Sequence, residues 1–362
     1  MEIGVLNVMQ NWHRDLDDFQ TFEGETDLLV AADRQGYDSL WCVEHHFEDY
    51  GLCPDNIQYL THVAAKTSRA KLVPGAVILP WNDPLRVAEK MAMLEYFAPG
   101  RVALGIGRGL ARREYRGFRV DMAESRGRFD ESAKMVLEAL ETGFCEGDGE
   151  YHKQPRVEIR PRPLRSYYDD LYCVAMSNDS ALAAAELGGR MMTFIQFAFE
   201  RHMPMIELYR NRFREFHPDR PLLSPVLTDV TVIHEDAEEA KRLAYEHIGN
   251  HYVAVTDHYE FAGDHFKNIR GYEGYQAGAD LIKSAGMEES QKTYIEAQNY
   301  GTPKQVLEKY RERRELVGDF NALLVFSYGG MPFEKAQHSL KLFAEQVMPE
   351  LRKMGVSTLQ AA

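Results

Sequence analysis

The stretch LVPGAVILPWNDPLRVAEKMAMLEYFAPGRVALGIG, residues 72–107, shows the repeat from which the chain is built. Its two ends, Leu72–Leu79 and Val102–Gly107, are short apolar runs bounded by turn residues, as in strands buried on both faces. Between them, Pro84–Phe97 has apolar side chains at three- and four-residue spacing and a proline in its first position, which predicts a helix. A strand, a helix and a second strand in this order predict a parallel sheet covered by helices.

The same alternation continues along the whole sequence. Eight apolar runs fit strands: Ile3–Val8, Ser39–Val43, Leu72–Leu79, Val102–Gly107, Leu171–Ala175, Arg190–Phe194, Val226–Ile233 and Ala322–Phe326. No linker rich in glycine, serine or charge separates them, so residues 1–362 are predicted to form one domain. Eight strands with helices between them predict an α/β fold, a closed (β/α)8 or TIM barrel, whose chemistry lies at the carboxyl ends of the strands.

Two stretches do not follow the repeat. Residues 146–168 are rich in proline and basic side chains, and residues 258–300 are rich in glycine, tyrosine and charge. Loops of about 40 residues in compact domains are usually functional lids or disordered. Because the second stretch comes shortly before the last strand, we expect a long lid insertion there, close to a site at the strand ends.

Composition restricts the classes of function. The 362 residues have a formal net charge of −14, which argues against nucleic acid as a partner. The four cysteines form no Cys-x-x-Cys pair or regular pattern, as expected of reduced thiols in the cytoplasm. No apolar run approaches the roughly 20 residues that cross a bilayer, so no membrane association is expected.

The second strand runs directly into Glu44-His45-His46, which places a carboxylate and two imidazoles at its carboxyl end. A histidine there can act as a general base or acid near neutral pH, and Glu44 could orient it. These histidines could equally serve only as hydrogen-bonding groups. A metal-dependent hydrolase using all three residues is a rival hypothesis. It is disfavoured because adjacent side chains of an extended chain point apart, so no metal site is predicted.

Three later segments favour anions. Gly105–Arg113 combines glycines with arginines at the end of the fourth strand, and Ser125-Arg126 begins the next helix. The fifth strand runs into Ser177–Ser180, where hydroxyls and backbone amides lie at a helix start. Taken singly, these could be a tight turn with solvated arginines and an ordinary helix cap. Together they predict a cofactor that carries a phosphate. The small residues Gly75 and Ala76 could admit a flat aromatic ring, or could serve barrel packing alone.

The chain resembles bacterial luciferase and the wider family of luciferase-like, flavin-dependent monooxygenases, and the resemblance extends nearly from end to end. The resemblance is carried by separated motifs in the same order: Gly36-Tyr37-Asp38-Ser39-Leu40-Trp41, Glu44-His45-His46-Phe47, Gly51-Leu52, Leu79-Pro80, Gly100-Arg101, Gly105-Ile106-Gly107-Arg108-Gly109-Leu110, Asp121-Met122, Ser125-Arg126, Val174-Ala175-x-Ser177, Arg270-Gly271-Tyr272 and Gly301-Thr302-Pro303.

The family resemblance implies a barrel that binds reduced FMN (FMNH2) delivered by a separate NAD(P)H:flavin reductase. O2 would add to the flavin to give a C4a-peroxyflavin, which oxygenates a small organic substrate. The resemblance also implies that barrels pair as dimers. These implications fit the phosphate-favouring segments found in the sequence.

The resemblance further assigns roles to individual residues. His45 corresponds to the active-site histidine of the family, which acts in proton transfer, and Glu44 lines the same pocket. The residues implied to contact the flavin are Arg108, Arg126, Ser177 and Ser180 at the phosphate, and Leu110, Val174, Gly75 and Ala76 at the ring, with a cis peptide between the last two.

The sequence departs from luciferase at three positions near the flavin, where Gly107 replaces a cysteine, Met176 a glutamate and Ile195 a tryptophan. We therefore infer neither the long-chain aldehyde specificity nor the light emission of luciferase for this chain. Two alternatives stay open. One is a deazaflavin (F420)-dependent hydride-transfer enzyme on the same barrel, and the other is a noncatalytic flavin-binding subunit.

Overall fold

The computed structural model describes residues 1–261, 263–267, 269 and 271–356. Its strands are β1 (Ile3–Asn7), β2 (Ser39–Cys42), β3 (Lys71–Pro74), β4 (Val77–Ile78), β5 (Leu104–Gly107), β6 (Phe144–Asp148), β7 (Lys153–Glu158), β8 (Leu171–Val174), β9 (Arg190–Phe194), β10 (Val226–Ile233), β11 (Asn299–Gly301) and β12 (Asn321–Val325).

Helices follow most of these strands. They are α1 (Asp18–Gln35), α2 (Asn56–Ala64), α3 (Pro84–Phe97), α4 (Arg112–Phe118), α5 (Ser125–Thr142), α6 (Asn178–Glu186), α7 (Met203–Phe216), α8 (Ala237–Leu243), α9 (Gly249–His258), α10 (Glu273–Ala285), α11 (Met287–Ala297), α12 (Pro303–Val317), α13 (Phe333–Leu342) and α14 (Met348–Val356). No described helix is both long and apolar enough to cross a membrane.

The main sheet is parallel and closes on itself. Its order is β3, β2, β1, β12, β10, β9, β8, β5, β4, and β11 adds to the outer side of β10. Leu72 of β3 receives a hydrogen bond from the Ala103 amide just before β5, and its own amide donates to the Arg101 carbonyl, which completes the ring. Because β3 and β4 are two halves of the strand predicted at 72–79, the ring has eight strands. The predicted eight-stranded barrel is confirmed.

The strands are buried on both faces, as their unbroken apolar runs predict. Val5 of β1 pairs with Leu40 of β2 and Leu324 of β12, and all three side chains are fully buried. Glycine is required where strands approach most closely, since a Cβ on Gly105 would overlap the carbonyl oxygen of Pro74. All four cysteines are buried, and none of them forms a disulfide bond. The assignment of residues 1–362 to a single domain stays a prediction.

The two stretches outside the repeat contain regular structure, which their composition did not predict. In the first, β6 and β7 form an antiparallel hairpin. In the second, α10 and α11 occupy most of the chain between His258 and β11. Arg270, from one of the motifs quoted above, lies outside the described residues. That the second stretch acts as a lid stays a prediction.

Candidate active site

A cavity lies at the carboxyl ends of the barrel strands. Eight of the ten site residues named from the sequence line it, namely Glu44, His45, Gly75, Ala76, Arg108, Leu110, Val174 and Ser180. Its remaining wall is largely aliphatic and aromatic, with Val8, Phe194, Val230, Tyr259, Tyr275 and Tyr294 among the contributors. The strands thus bring together residues that are far apart in the sequence, as a barrel rim does.

A second cavity adjoins the first. The two share Met176, Gln196, Val255, Tyr275 and Tyr294 as lining residues, so they are direct neighbours. Ser177 and Asp179, at the start of α6, line the second cavity. Arg126, the one predicted site residue that lines neither cavity, reaches this place by hydrogen bonding to Asp179.

His45 is fixed by a residue that sequence reasoning missed. Its Nδ1 donates to Glu114 Oε1 at 3.0 Å, and the His46 amide donates to the same oxygen at 2.8 Å. Because Nδ1 is engaged, Nε2 is the ring nitrogen left for the cavity. Burial alone would raise the pKa of Glu114, but His45 and His258 outweigh that effect and lower it.

Behind this pair lies a second buried imidazole. His258 Nδ1 donates to Glu48 Oε2 at 3.0 Å, while its Nε2 lies 3.7 Å from Glu114 Oε1 and has no hydrogen-bond partner among the described residues. Burial lowers the pKa of His258, and the hydrogen bond from His258 lowers the pKa of Glu48. Glu48 in turn accepts from Arg113 at 2.7 Å near the surface. A row of ionisable groups therefore connects His45 to solvent.

The side chain of Glu44 is held in place by several hydrogen bonds. Its Oε1 accepts from Trp81 Nε1 and Asn82 Nδ2, both at 2.8 Å, and its Oε2 accepts from the Ile78 amide. His46 Nε2 also donates to Glu44, so the two neighbouring histidines contact different carboxylates. The structure agrees with the argument that their rings point apart. A catalytic role for Glu44 stays a prediction.

Small residues form part of the cavity wall. The peptide between Gly75 and Ala76 is cis, as the resemblance implies. A Cβ on Gly75 would lie 2.7 Å from Trp41, and one on Gly107 would lie 3.2 Å from Ile78, so larger residues would intrude on packed neighbours. Gly107 and Met176 line the cavity.

Two buried arginines converge at the start of α6. Arg108 Nη1 donates to Asp179 Oδ2 at 3.3 Å, and Arg126 Nε donates to the same oxygen at 2.9 Å. Ser177 caps the helix, its Oγ accepting from the Ser180 amide at 3.3 Å and lying 3.2 Å from the Ser180 hydroxyl. Ser177 is therefore the N-cap residue of α6. Arginines, hydroxyls and helix amides together form an anion cradle.

Arg108 also ties a distant segment to the cradle. Its Nη2 donates to the Gly271 carbonyl at 2.7 Å, and its guanidinium lies 4.0 Å from the centre of the Tyr272 ring. Tyr272 donates to the Gly109 carbonyl at 2.9 Å. The segment before α10 is thus bound to the loop after β5, directly beside the cradle.

The rim of the barrel thus brings together two arginines, helix-start hydroxyls and an oriented histidine beside one cavity. The family model for luciferase-like monooxygenase matches residues 1–319. The chain therefore belongs to the luciferase-like monooxygenase family.

Relatives of known name cover most of the sequence. The alkanal monooxygenase alpha chain of Photorhabdus laumondii is 25% identical over 328 residues, 90% of each chain. The oxygenase component of the flavin-dependent trigonelline monooxygenase of Acinetobacter baylyi is 24% identical over 355 residues, 94% of this chain and 93% of that one.

Solved structures show the same fold. Monooxygenase RslO1 from Streptomyces bottropensis matches 97% of this chain and 100% of its own with a TM-score of 0.76 and 26% identity. The oxygenating constituent of 3,6-diketocamphane monooxygenase from Pseudomonas putida, in complex with FMN, gives 0.74 at 21% identity, covering 96% and 98%. The F420-dependent tetrahydromethanopterin reductase of Methanopyrus kandleri gives 0.69 at 18% identity, covering 96% and 99%.

Proposed function

We propose that this chain is the oxygenase component of a two-component monooxygenase that uses reduced FMN and O2 to oxygenate a small organic substrate. The observation that carries the proposal is the pair of buried arginines, Arg108 and Arg126, that meet the start of α6 next to the cavity of His45. The phosphate of a flavin would lie at the arginines while its ring occupies the cavity of His45.

The residues present fit FMN. Arg108 and Arg126 would hold its phosphate by charge-assisted hydrogen bonds, together with the hydroxyls of Ser177 and Ser180. Gly75 and Ala76 would lie beside the ring, with Leu110 and Val174 in the same cavity. When bound, reduced FMN supplies two electrons with which O2 is activated, one oxygen atom passing to the substrate and the other leaving as water.

The protein would then manage protons and water. His45, held through Nδ1 by Glu114, would take up or deliver a proton at Nε2 on the cavity side. Tyr259, Tyr275 and Tyr294 line the cavity and would exclude water from the reacting groups. Leakage of the activated oxygen as hydrogen peroxide is the side reaction that such a site must prevent.

The name of one relative, an oxygenase component, supports delivery of reduced FMN by a separate NAD(P)H:flavin reductase. We also expect a dimer and a cytoplasmic location, as inferred from the sequence. Membership in a monooxygenase family leaves the metal-dependent hydrolase without support. The noncatalytic subunit stays an alternative, and His45, Arg108 and Arg126 in one site argue against it.

The main alternative is F420-dependent hydride transfer, because an F420-dependent reductase shares this fold. With this alternative function, the chain would react without O2 and would bind a deazaflavin in place of FMN. The two proposals differ in cofactor and in oxygen requirement, so a binding measurement separates them.

Binding of FMN and of riboflavin, which lacks the phosphate, tests the assignment of the cradle. Arg108→Ala should weaken FMN binding about 10- to 100-fold, since it removes charge-assisted hydrogen bonds, and should weaken riboflavin binding far less. Arg86→Ala, at an exposed arginine on α3, is the matched control. Equal affinity of Arg108→Ala and the wild type for FMN would contradict the assignment.

A further inference from the structure

Asp179 lies at the centre of the anion cradle. Its Oδ2 accepts from Arg108 Nη1 at 3.3 Å and from Arg126 Nε at 2.9 Å, and Arg126 Nη2 donates to it as well. Arg108 and Arg126 are almost completely buried. The Asp179 side chain is 27% exposed and lines the second cavity. One carboxylate oxygen therefore occupies the point where the two guanidinium groups converge.

The charges at this point are informative. The guanidinium groups of Arg108 and Arg126 face the carboxylate of Asp179, and Arg126 also contacts that of Asp130, so two carboxylates already balance the two positive charges. A phosphate monoester carries close to two further negative charges at neutral pH. A phosphate entering the cradle would meet both arginines and also the like charge of Asp179. Like charges placed side by side at a binding site reduce affinity substantially.

Asp130 provides a contrast on the same arginine. It accepts from Arg126 Nη1 at 3.3 Å, but its side chain is 56% exposed and lines neither cavity. Arg126 thus has two carboxylate partners, of which only Asp179 lies inside the cradle.

We propose that Asp179 is a cofactor-exchange residue. Its carboxylate holds the place of the phosphate in the flavin-free protein and keeps the affinity for a phosphate-bearing flavin low. This inference rests on the proposed function, because an oxygenase component must take up reduced FMN and release oxidised FMN in every cycle. The carboxylate keeps the buried arginines paired between cycles, since an unpaired buried charge is costly.

The same arrangement connects exchange to the segment at Gly271. Arg108 uses one amino group for Asp179 and the other for the Gly271 carbonyl, while its plane stacks on Tyr272. When a phosphate replaces Asp179, Arg108 can keep its contacts to Gly271 and Tyr272. The segment beside the cradle therefore stays attached while the anion is exchanged.

The test compares FMN and riboflavin binding to the wild type, Asp179→Asn and Asp130→Asn. Asp179→Asn should bind FMN at least about tenfold more tightly and release it more slowly, because a repelling charge is gone. Its riboflavin affinity should change less than twofold, and Asp130→Asn should match the wild type with both ligands. Weaker or unchanged FMN binding by Asp179→Asn would overturn the inference and show that Asp179 organises the arginines.

A second readout does not need flavin. Inorganic phosphate should raise the melting temperature of Asp179→Asn more than that of the wild type, and Asp179→Ser serves if the asparagine variant fails to fold. Equal shifts in the wild type and both variants would also overturn the inference. Failure of the proposed function looks different, since Arg108→Ala would then leave FMN binding unchanged. Loss of FMN binding in Arg108→Ala without a gain in Asp179→Asn would reject this inference alone.

Discussion

At the scale of single residues, the tautomer of His45 is set by a partner 69 positions away. Glu114 accepts from Nδ1 and from the His46 amide, so the imidazole cannot rotate without breaking a buried hydrogen bond. Such an orienting carboxylate is what a histidine needs to move a proton in a defined direction. The sequence motif predicted His45 but gave no sign of Glu114, because the contact forms only when the barrel closes.

Replacement of His45 should separate oxygen consumption from product formation. His45→Ala is expected to bind FMN like the wild type but to release most of the consumed O2 as hydrogen peroxide, because proton delivery at the cavity is lost. The measurement is hydrogen peroxide formed per O2 consumed. His46→Gln is the matched control, since the His46 side chain does not line the cavity, and it should leave this ratio low. A low ratio in His45→Ala would contradict the role given to this residue.

Glu25 on α1 gives a stability prediction of defined sign. It is completely buried, and burial raises its pKa from 4.5 to about 8. The folded state therefore keeps a proton that the unfolded state loses above pH 4.5, so this residue's contribution to stability falls as pH rises toward 8. Glu25→Gln should flatten that fall, worth about 1.4 kcal/mol per pH unit. Denaturant unfolding at several pH values checks this, with the exposed Glu23→Gln as a control that should not differ from the wild type.

At the scale of elements, apolar runs were sufficient to predict the barrel strands, because each run is buried on both faces and ends at a turn. They could not show that the third strand is interrupted at a cis peptide between β3 and β4. Composition misled at α10, where Gly274 and Gly278 lower helix propensity. Tertiary packing overrides propensity in such segments, so the helix could not be predicted from local sequence alone.

A buried ion pair attaches α12 to the barrel. Arg313 Nη1 donates to Asp229 Oδ2 of β10 at 2.6 Å, and neither side chain is more than 4% exposed. Arg313→Met should reduce the free energy of unfolding by about 3–5 kcal/mol, because it leaves a buried carboxylate without a partner. The double variant Asp229→Asn/Arg313→Met should lose less than the single one.

Denaturant unfolding also supplies the control for this pair. Arg242 and Glu246 form an exposed pair on the surface, and Glu246→Gln should cost less than about 1 kcal/mol. If the buried and exposed variants lost equal stability, the anchoring role of the Asp229 pair would be wrong.

At the scale of the whole molecule, two buried histidines contribute to the loss of stability in acid. Burial lowers the pKa values of His202 and His251 from 6.5 to about 4. Between these values the unfolded state binds more protons, so stability falls as pH drops from 6.5 toward 4. Glu25 acts in the opposite sense above pH 4.5. We expect a smaller acid loss in His202→Gln than in His13→Gln at an exposed site. An equal acid loss in these two variants would contradict this.

Over the whole molecule, the sequence predicted the barrel and eight of the residues that line its cavity. The features it did not reveal are Asp179 between the arginines, and Glu114, His258 and Glu48 behind His45. Each is an acidic or histidine side chain of ordinary local context. Its role arises from partners that the closed sheet brings within hydrogen-bond distance, a relation that spacing along one chain cannot encode.

The most direct test of the central claim, that this barrel uses reduced FMN to activate O2, is a rapid-mixing experiment. The protein is loaded with reduced FMN without oxygen and mixed with oxygenated buffer, and the return of oxidised-flavin absorbance is followed. We expect this absorbance to return much more slowly than for free reduced FMN, and the delay to be lost in Arg108→Ala at the same flavin concentration. Oxidation as fast as that of free flavin, together with reaction of F420 in the absence of O2, would contradict it.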